Sequence, residues 1–181
     1  MSKWDDEDSG FPPEASIEKP QAIAPASPLD WPALATLEPP KRRWAIQGWL
    51  GYGHTTLLVG SGGIGKTLIA QQLGSALALG RDFIEPTEPT KVLMWACEDD
   101  HDELWRRQID IARHLKAGLE EFDNFTLVPR HGQDNAICTS EFGKPMLTPL
   151  IQTLTEQAND LEAQVVILDN VAQLYGAGEN D

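Results

Sequence analysis

Along this chain, short unbroken apolar runs alternate with helically spaced apolar residues, all of them after about residue 40. Thr55-Thr56-Leu57-Leu58-Val59 reads as a strand. Leu68, Ile69, Leu73, Ala76 and Leu77 recur at 3.6-type spacing and stop at Gly80, which predicts a helix covering one face of a sheet. Val92-Leu93-Met94-Trp95-Ala96-Cys97 is apolar throughout, which suits a strand buried on both faces and therefore a parallel sheet. A second helix is predicted after it. Leu104, Trp105, Ile109, Ala112 and Leu115 are available for its buried side, and Asp100 with Glu103 fits a capping box at its start. Residues 125–128 form a further strand candidate. Thr148 as cap and Pro149 at the first helical position open a helix that buries Leu150, Ile151, Leu154, Ala158 and Leu161. Val165-Val166-Ile167-Leu168-Asp169 is the last strand. This alternation predicts an α/β fold with a mainly parallel sheet flanked by helices.

The first forty residues follow a different pattern. Asp5, Asp6, Glu7 and Asp8 are followed by Pro12, Pro13, Pro20, Pro25, Pro28, Pro32, Pro39 and Pro40, a composition that cannot form a packed element. Residues 1–40 are therefore expected to be a disordered tail or linker, with one short contact through Leu29, Trp31 and Leu34; a docking peptide is the functional alternative. The folded domain spans 41–181. It opens near Lys41-Arg42-Arg43-Trp44 with a short extended piece and a glycine turn through Gly48, Gly51 and Gly53. Trp44 and Trp49 are candidates to line the mouth of a ligand site, against ordinary packing as the alternative. The segment 129–145 is polar and loop-like, and Gln133, Asp134 and Asn135 in it are candidates to face a site.

Composition narrows the function. A chain of 181 residues can bury one core of ordinary size. No apolar run approaches the ~18–20 residues of a membrane span. The N-terminus carries acids rather than a basic segment followed by an apolar one, so a cytoplasmic location is expected and no membrane partner. Cys97 and Cys138 are too few for a disulfide framework and lack metal-ligand spacing, as do His54, His101, His114 and His131. The formal net charge of −14 argues against a broad basic surface for nucleic acid.

The candidate chemistry begins at Gly60-Ser61-Gly62-Gly63-Ile64-Gly65-Lys66-Thr67, which follows the first strand and precedes the first helix. The pattern G-x-x-x-x-G-K-[ST] in that setting reads as a phosphate-binding loop rather than a flexible turn. Glycines let successive backbone N–H groups curl around phosphate oxygens, and the helix N-terminus adds its partial positive charge. Lys66 reaches the β- and γ-phosphates of ATP, and Thr67 supplies a hydroxyl to Mg²⁺. Asp169, an acid ending four apolar residues, is the second metal-side candidate. Hydrolysis also needs a group to orient or deprotonate water. Asn170 follows Asp169, so that acid must come from elsewhere. Glu98 is the acidic strand end between the two motifs, and acids at the carboxyl end of a strand in an open α/β sheet face the ligand crevice.

Three stretches together resemble the RecA-like AAA ATPases of the plasmid-replication RepA helicase type, relatives of the DnaB hexameric helicases. They are the phosphate loop; Ala96-Cys97-Glu98-Asp99-Asp100 with Glu103-Leu104-Trp105-Arg106-Arg107; and Val166-Ile167-Leu168-Asp169 with the tract Gly176-Ala177-Gly178-Glu179-Asn180-Asp181. The resemblance covers the chain from about Trp44. It implies a RecA-like P-loop NTPase that binds ATP and Mg²⁺, with Lys66 and Glu98 catalytic, residues 60–67 on the nucleotide, and Thr67 and Asp169 on the metal. It also implies a homo-oligomeric, hexameric ring acting on DNA. Members commonly have Pro where this chain has Asn170. The family also continues further, with a sensor, an arginine finger and DNA-contacting loops, so the sequence is expected to be the N-terminal part of a C-terminally truncated domain.

Two other function classes share the phosphate loop. A small-molecule or nucleoside kinase would need a substrate-facing arginine cluster, for which Arg106, Arg107 and Arg113 are available, although their helical spacing fits a solvated face. A nucleotide-switch or partition-type ATPase would change conformation without translocating.

Overall fold

The computed structural model describes residues 27–85, 87–141 and 144–176. Within residues 27–40 one helical turn forms, α1 (Trp31–Leu34); Asp30 caps it by accepting from the Ala33 N–H at 3.1 Å. Most of the expected tail, residues 1–26, lies outside the described residues, as do Pro86 in the turn after the first helix and the last residues of the glycine-rich tract, 177–181.

From residue 41 the elements run β1 (Trp44–Ile46), β2 (Leu50–Gly51), α2 (Lys66–Leu79), β3 (Val92–Ala96), α3 (His101–Leu115), β4 (Phe125–Pro129), β5 (Cys138–Glu141), β6 (Lys144–Leu147), α4 (Leu150–Asp160), β7 (Val165–Asp169) and α5 (Val171–Leu174). The central sheet is parallel, in the order β4-β3-β7. Its middle strand is buried at every position, as the unbroken apolar run predicts. Successive side chains of β3 serve opposite layers. Met94 and Ala96 pack with Ala70 of α2 and Leu104 of α3, whereas Leu93 and Trp95 pack with Leu154 of α4. The result is a three-layer α/β arrangement with helices on both faces of the sheet.

Register fixes where chemistry can sit. Ala96 lies opposite both Pro129 and Asp169, so all three strands end at one level, and the residues after Ala96 emerge beside Asp169.

Several expectations change. The run 55–59 forms no strand: Leu57, Leu58 and Val59 are exposed, and none of the described residues pairs with them. Strand propensity supplies an extended chain, but a strand needs a ladder partner. On α2 the buried stripe runs through Ala70, Gly74 and Leu77, leaving Leu68 and Ile69 exposed on its flanks. Gly74 selects that stripe, because a Cβ there would come within 2.7 Å of the Phe125 ring and 3.3 Å of Ile167. The helix does end at Gly80, whose left-handed backbone lets its N–H reach the carbonyls of Ala76 and Leu77.

On α3 the buried residues are Leu104, Ile111 and Ala112, with Trp105 and Ile109 exposed; Trp105 follows Leu104 and so lies ~100° round the helix from the buried line. The Asp100 carboxylate accepts from the Glu103 N–H at 2.8 Å, but the Glu103 side chain turns to Arg106 and Arg107, so the capping box is half made. On α4 the Thr148 hydroxyl accepts from the Leu150 N–H and donates to the Ala136 carbonyl.

The polar stretch after β4 contains the antiparallel hairpin β5-β6. Ala45 and Ile46 of β1 pack on Leu77, Val92 and Val165, at the amino ends of β3 and β7. That places β1 at the opposite end of the sheet from Asp169, and Trp44 takes Arg42 over its ring at 5.2 Å. Trp44 and Trp49 are thus removed from a site at the carboxyl ends.

Candidate functional site

At the carboxyl end of the sheet, residues 60–65 loop into the start of α2. Gly63 and Gly65 have φ of +75° and +90°, a conformation that side chains oppose, and Gly65 is the N-cap itself. A Cβ at Gly62, Gly63 or Gly65 would meet nothing within 4 Å, so this stretch of backbone lines open space, while one at Gly60 would run into the Ile64 side chain. Lys66 folds back over the loop, its Nζ donating to the carbonyls of Gly60 and Ser61, both at 2.9 Å. The ammonium is held where a bound anion can replace those carbonyls. Ser61 and Ile64 are exposed on the loop.

Asp169 is buried at the tip of β7, and its Oδ2 has no hydrogen-bond partner. Burial pushes its carboxyl above the ordinary range; the Thr67 hydroxyl opposes that shift, Glu98 and Asp99 add to it, and Lys66 opposes it. The two residues expected on the metal side are therefore brought together, with Lys66 beside them. A buried, orphaned carboxylate oxygen next to a hydroxyl is an environment that a hard divalent cation would satisfy. No group of three or more His, Cys, Asp or Glu side chains among the described residues forms a complete cage. A cation here would fill its shell with water and phosphate oxygens, as magnesium-type sites do.

The Cys97 N–H donates to the Asp169 carbonyl at 2.6 Å, joining the ends of β3 and β7. Glu98 follows, exposed and without a hydrogen-bond partner among the described residues. Its neighbour differs. Asp99 takes both Nη atoms of Arg107, at 2.6 and 3.1 Å. Asp100 is spent on the helix cap, where the Glu103 N–H holds its carboxyl below the ordinary range. Of three consecutive acids, Glu98 alone is uncommitted.

Asp134 and Asn135 hold the Arg130 side chain rather than standing free. Arg130 Nε donates to Asn135 Oδ1 at 2.7 Å, Nη2 donates to the Asp134 carbonyl, and its N–H donates to the Ala96 carbonyl. The guanidinium lies 4.3 Å from the Trp95 ring centroid, and its charge offsets part of the upward shift that burial imposes on the Cys97 thiol. Gln133 donates its backbone N–H to the Arg130 carbonyl at 3.2 Å, and its exposed side chain has no hydrogen-bond partner among the described residues.

The sequence matches the family described as AAA domain over residues 19–181, which is nearly the whole chain and includes all of these elements. The chain belongs to the AAA domain family. No curated protein matches it. Nucleotide binding and P-loop ATPase chemistry thus follow for this AAA domain at the level of its family. The family match begins within the proline-rich stretch, ahead of the first described element. No helix among the described residues of this AAA domain is long and apolar enough to cross a membrane.

The pairing of Arg107 with Asp99 and the place of Arg130 were not legible. Arg107 is the i+4 partner of Glu103, a spacing that signals a helix-surface pair, but nothing in the sequence pointed to Asp99 as its second partner. Arg130 carried no signal beyond its place after an apolar run.

Proposed function

We propose that this AAA domain binds Mg·ATP and hydrolyses it at the carboxyl ends of β3 and β7. The observation that carries the reading is the gathering of Lys66, Thr67, Asp169 and the uncommitted Glu98 around one open loop of backbone. The loop N–H groups and Lys66 bind the β- and γ-phosphates, with the start of α2 adding its positive end. Thr67 and Asp169 would hold Mg²⁺, which when bound neutralises charge on the phosphate oxygens. Glu98 orients the attacking water and accepts its proton.

The assignment to a RecA-like motor acting on DNA, assembled as a ring, rests on the motif resemblance, and AAA domains often oligomerise. The kinase alternative loses its arginine cluster. Arg106 and Arg113 pair with Glu103 and Asp110 on the exposed face of α3, and Arg107 is engaged by Asp99.

Titration calorimetry of the folded protein tests the core of this reading. Wild type should bind Mg·ATP and Mg·ADP, and Lys66→Ala should lose most of that affinity; equal binding by both would overturn it.

A further inference from the structure

We propose that Arg107 is a positioning residue for the acid turn 98–100, engaging the Asp99 carboxylate so that Glu98 is the one carboxylate left to the water. The inference rests on the reading of Glu98 given above.

The geometry is that of a fork. Arg107 grips Asp99 with Nη1 and Nη2 and takes Glu103 Oε1 on Nε at 2.9 Å, filling three of its donors with two carboxylates. Such planar bidentate pairing fixes direction as well as distance, which a lysine cannot do. The pair is also sheltered: the side chains of Arg107 and Asp99 are 25% and 21% exposed, unlike the exposed pairs of Arg106 and Arg113 on the same helix. Burial works against the guanidinium charge, and the two carboxylates outweigh it, holding the pKa above its ordinary value.

The consequence reaches the metal side. A released Asp99 would be a free carboxylate beside Glu98 after the end of β3, able to compete with it for the water and with Asp169 for a cation. Arg107 itself stands on α3, and α3 is tied to the phosphate-loop helix by a buried link: Gln71 Nε2 donates to the Leu104 carbonyl and to Gln108 Oε1, each at 2.9 Å. The fork is therefore anchored to the helix that begins with Lys66 and Thr67.

Steady-state ATP turnover of the full chain at saturating Mg²⁺ separates this role from simple support of α3. Arg107→Ala should lower kcat by ~10- to 100-fold, the scale of a misplaced reacting group, with KM for ATP little changed. Adding Asp99→Asn to Arg107→Ala should restore most of the lost kcat, because the stray carboxylate is removed while the helix contact stays broken. Should Arg107→Ala fail to fold, Arg107→Lys carries the test, with kcat lowered and KM kept. Unchanged kcat in the folded variant, or equal loss in single and double variants, would overturn the proposal. Glu98→Gln measured alongside keeps the two readings distinct: near-normal turnover there removes the assignment of Glu98 and this proposal with it. Lost turnover there, with an unaffected Arg107 series, removes this proposal alone.

Discussion

The backbone N–H of Cys97 donates to the carbonyl of Asp169, so the ends of β3 and β7 are joined one residue before Glu98 leaves the sheet. The separation of the two candidate acids is therefore set by a hydrogen bond between strands rather than by a loop. Removing the function of one acid should leave the position of the other unchanged. Glu98→Gln should keep ATP affinity near wild type while turnover falls by roughly 10² to 10⁴, the usual cost of losing a general base. Single-turnover hydrolysis with a parallel binding titration checks the split.

Thr67→Ala and Asp169→Asn should resemble one another and differ from Glu98→Gln. Each removes a group from the metal side, so each should weaken the dependence of nucleotide binding on Mg²⁺. Calorimetric ATP titrations across a Mg²⁺ series measure it, and a metal response equal to wild type in both variants would refute the pairing.

The buried Asp169 carboxyl also links stability to pH. Its pKa is raised above the ordinary value of 3.8, chiefly by burial, so the folded protein holds that proton more readily than the unfolded chain does. Its contribution therefore destabilises as pH rises from about 3.8 through the raised value, and stays at its full cost above it. Asp169→Asn should melt at a higher temperature than wild type at neutral pH, with the gap closing in acid. Thermal unfolding without nucleotide, from acid to neutral pH, tests this; a variant melting lower at neutral pH would contradict it.

Gly74 gives a prediction against propensity. Alanine is worth ~1 kcal/mol more than glycine inside a helix. At Gly74, however, the added carbon would press on the Phe125 ring at 2.7 Å, and overpacking typically costs ~1–3 kcal/mol. Gly74→Ala should lower the midpoint of urea unfolding despite the better helix former.

The parts legible in sequence were those where one local pattern decides the structure. Val92 to Cys97 could only be a strand covered on both faces, and Val165 to Asp169 brought its acid to the sheet end through the register with β3. The phosphate loop was legible because its glycines are demanded by backbone conformation. The misreadings arose where a partner decides. Trp105 and Ile109 have the right residue types for a buried face, but the helix turned Leu104 and Ile111 inward. The β5-β6 hairpin was hidden because Pro145 and polar residues mask a strand whose side chains are exposed. Asp99 meets Arg107 across eight positions of chain, a distance that helix spacing alone does not predict.

The sheet has consequences for handling the protein. On the outer strand β7 Val166 is exposed, and Leu57, Leu58 and Val59 are exposed in a run that pairs with none of the described residues. Unpaired strand edges flanked by apolar side chains recruit further strands. Concentrated solutions should accordingly show an apparent mass in light scattering that climbs with concentration, despite the −14 charge that favours dispersal. Leu58→Lys should flatten that climb, as a lysine there interrupts the exposed apolar run.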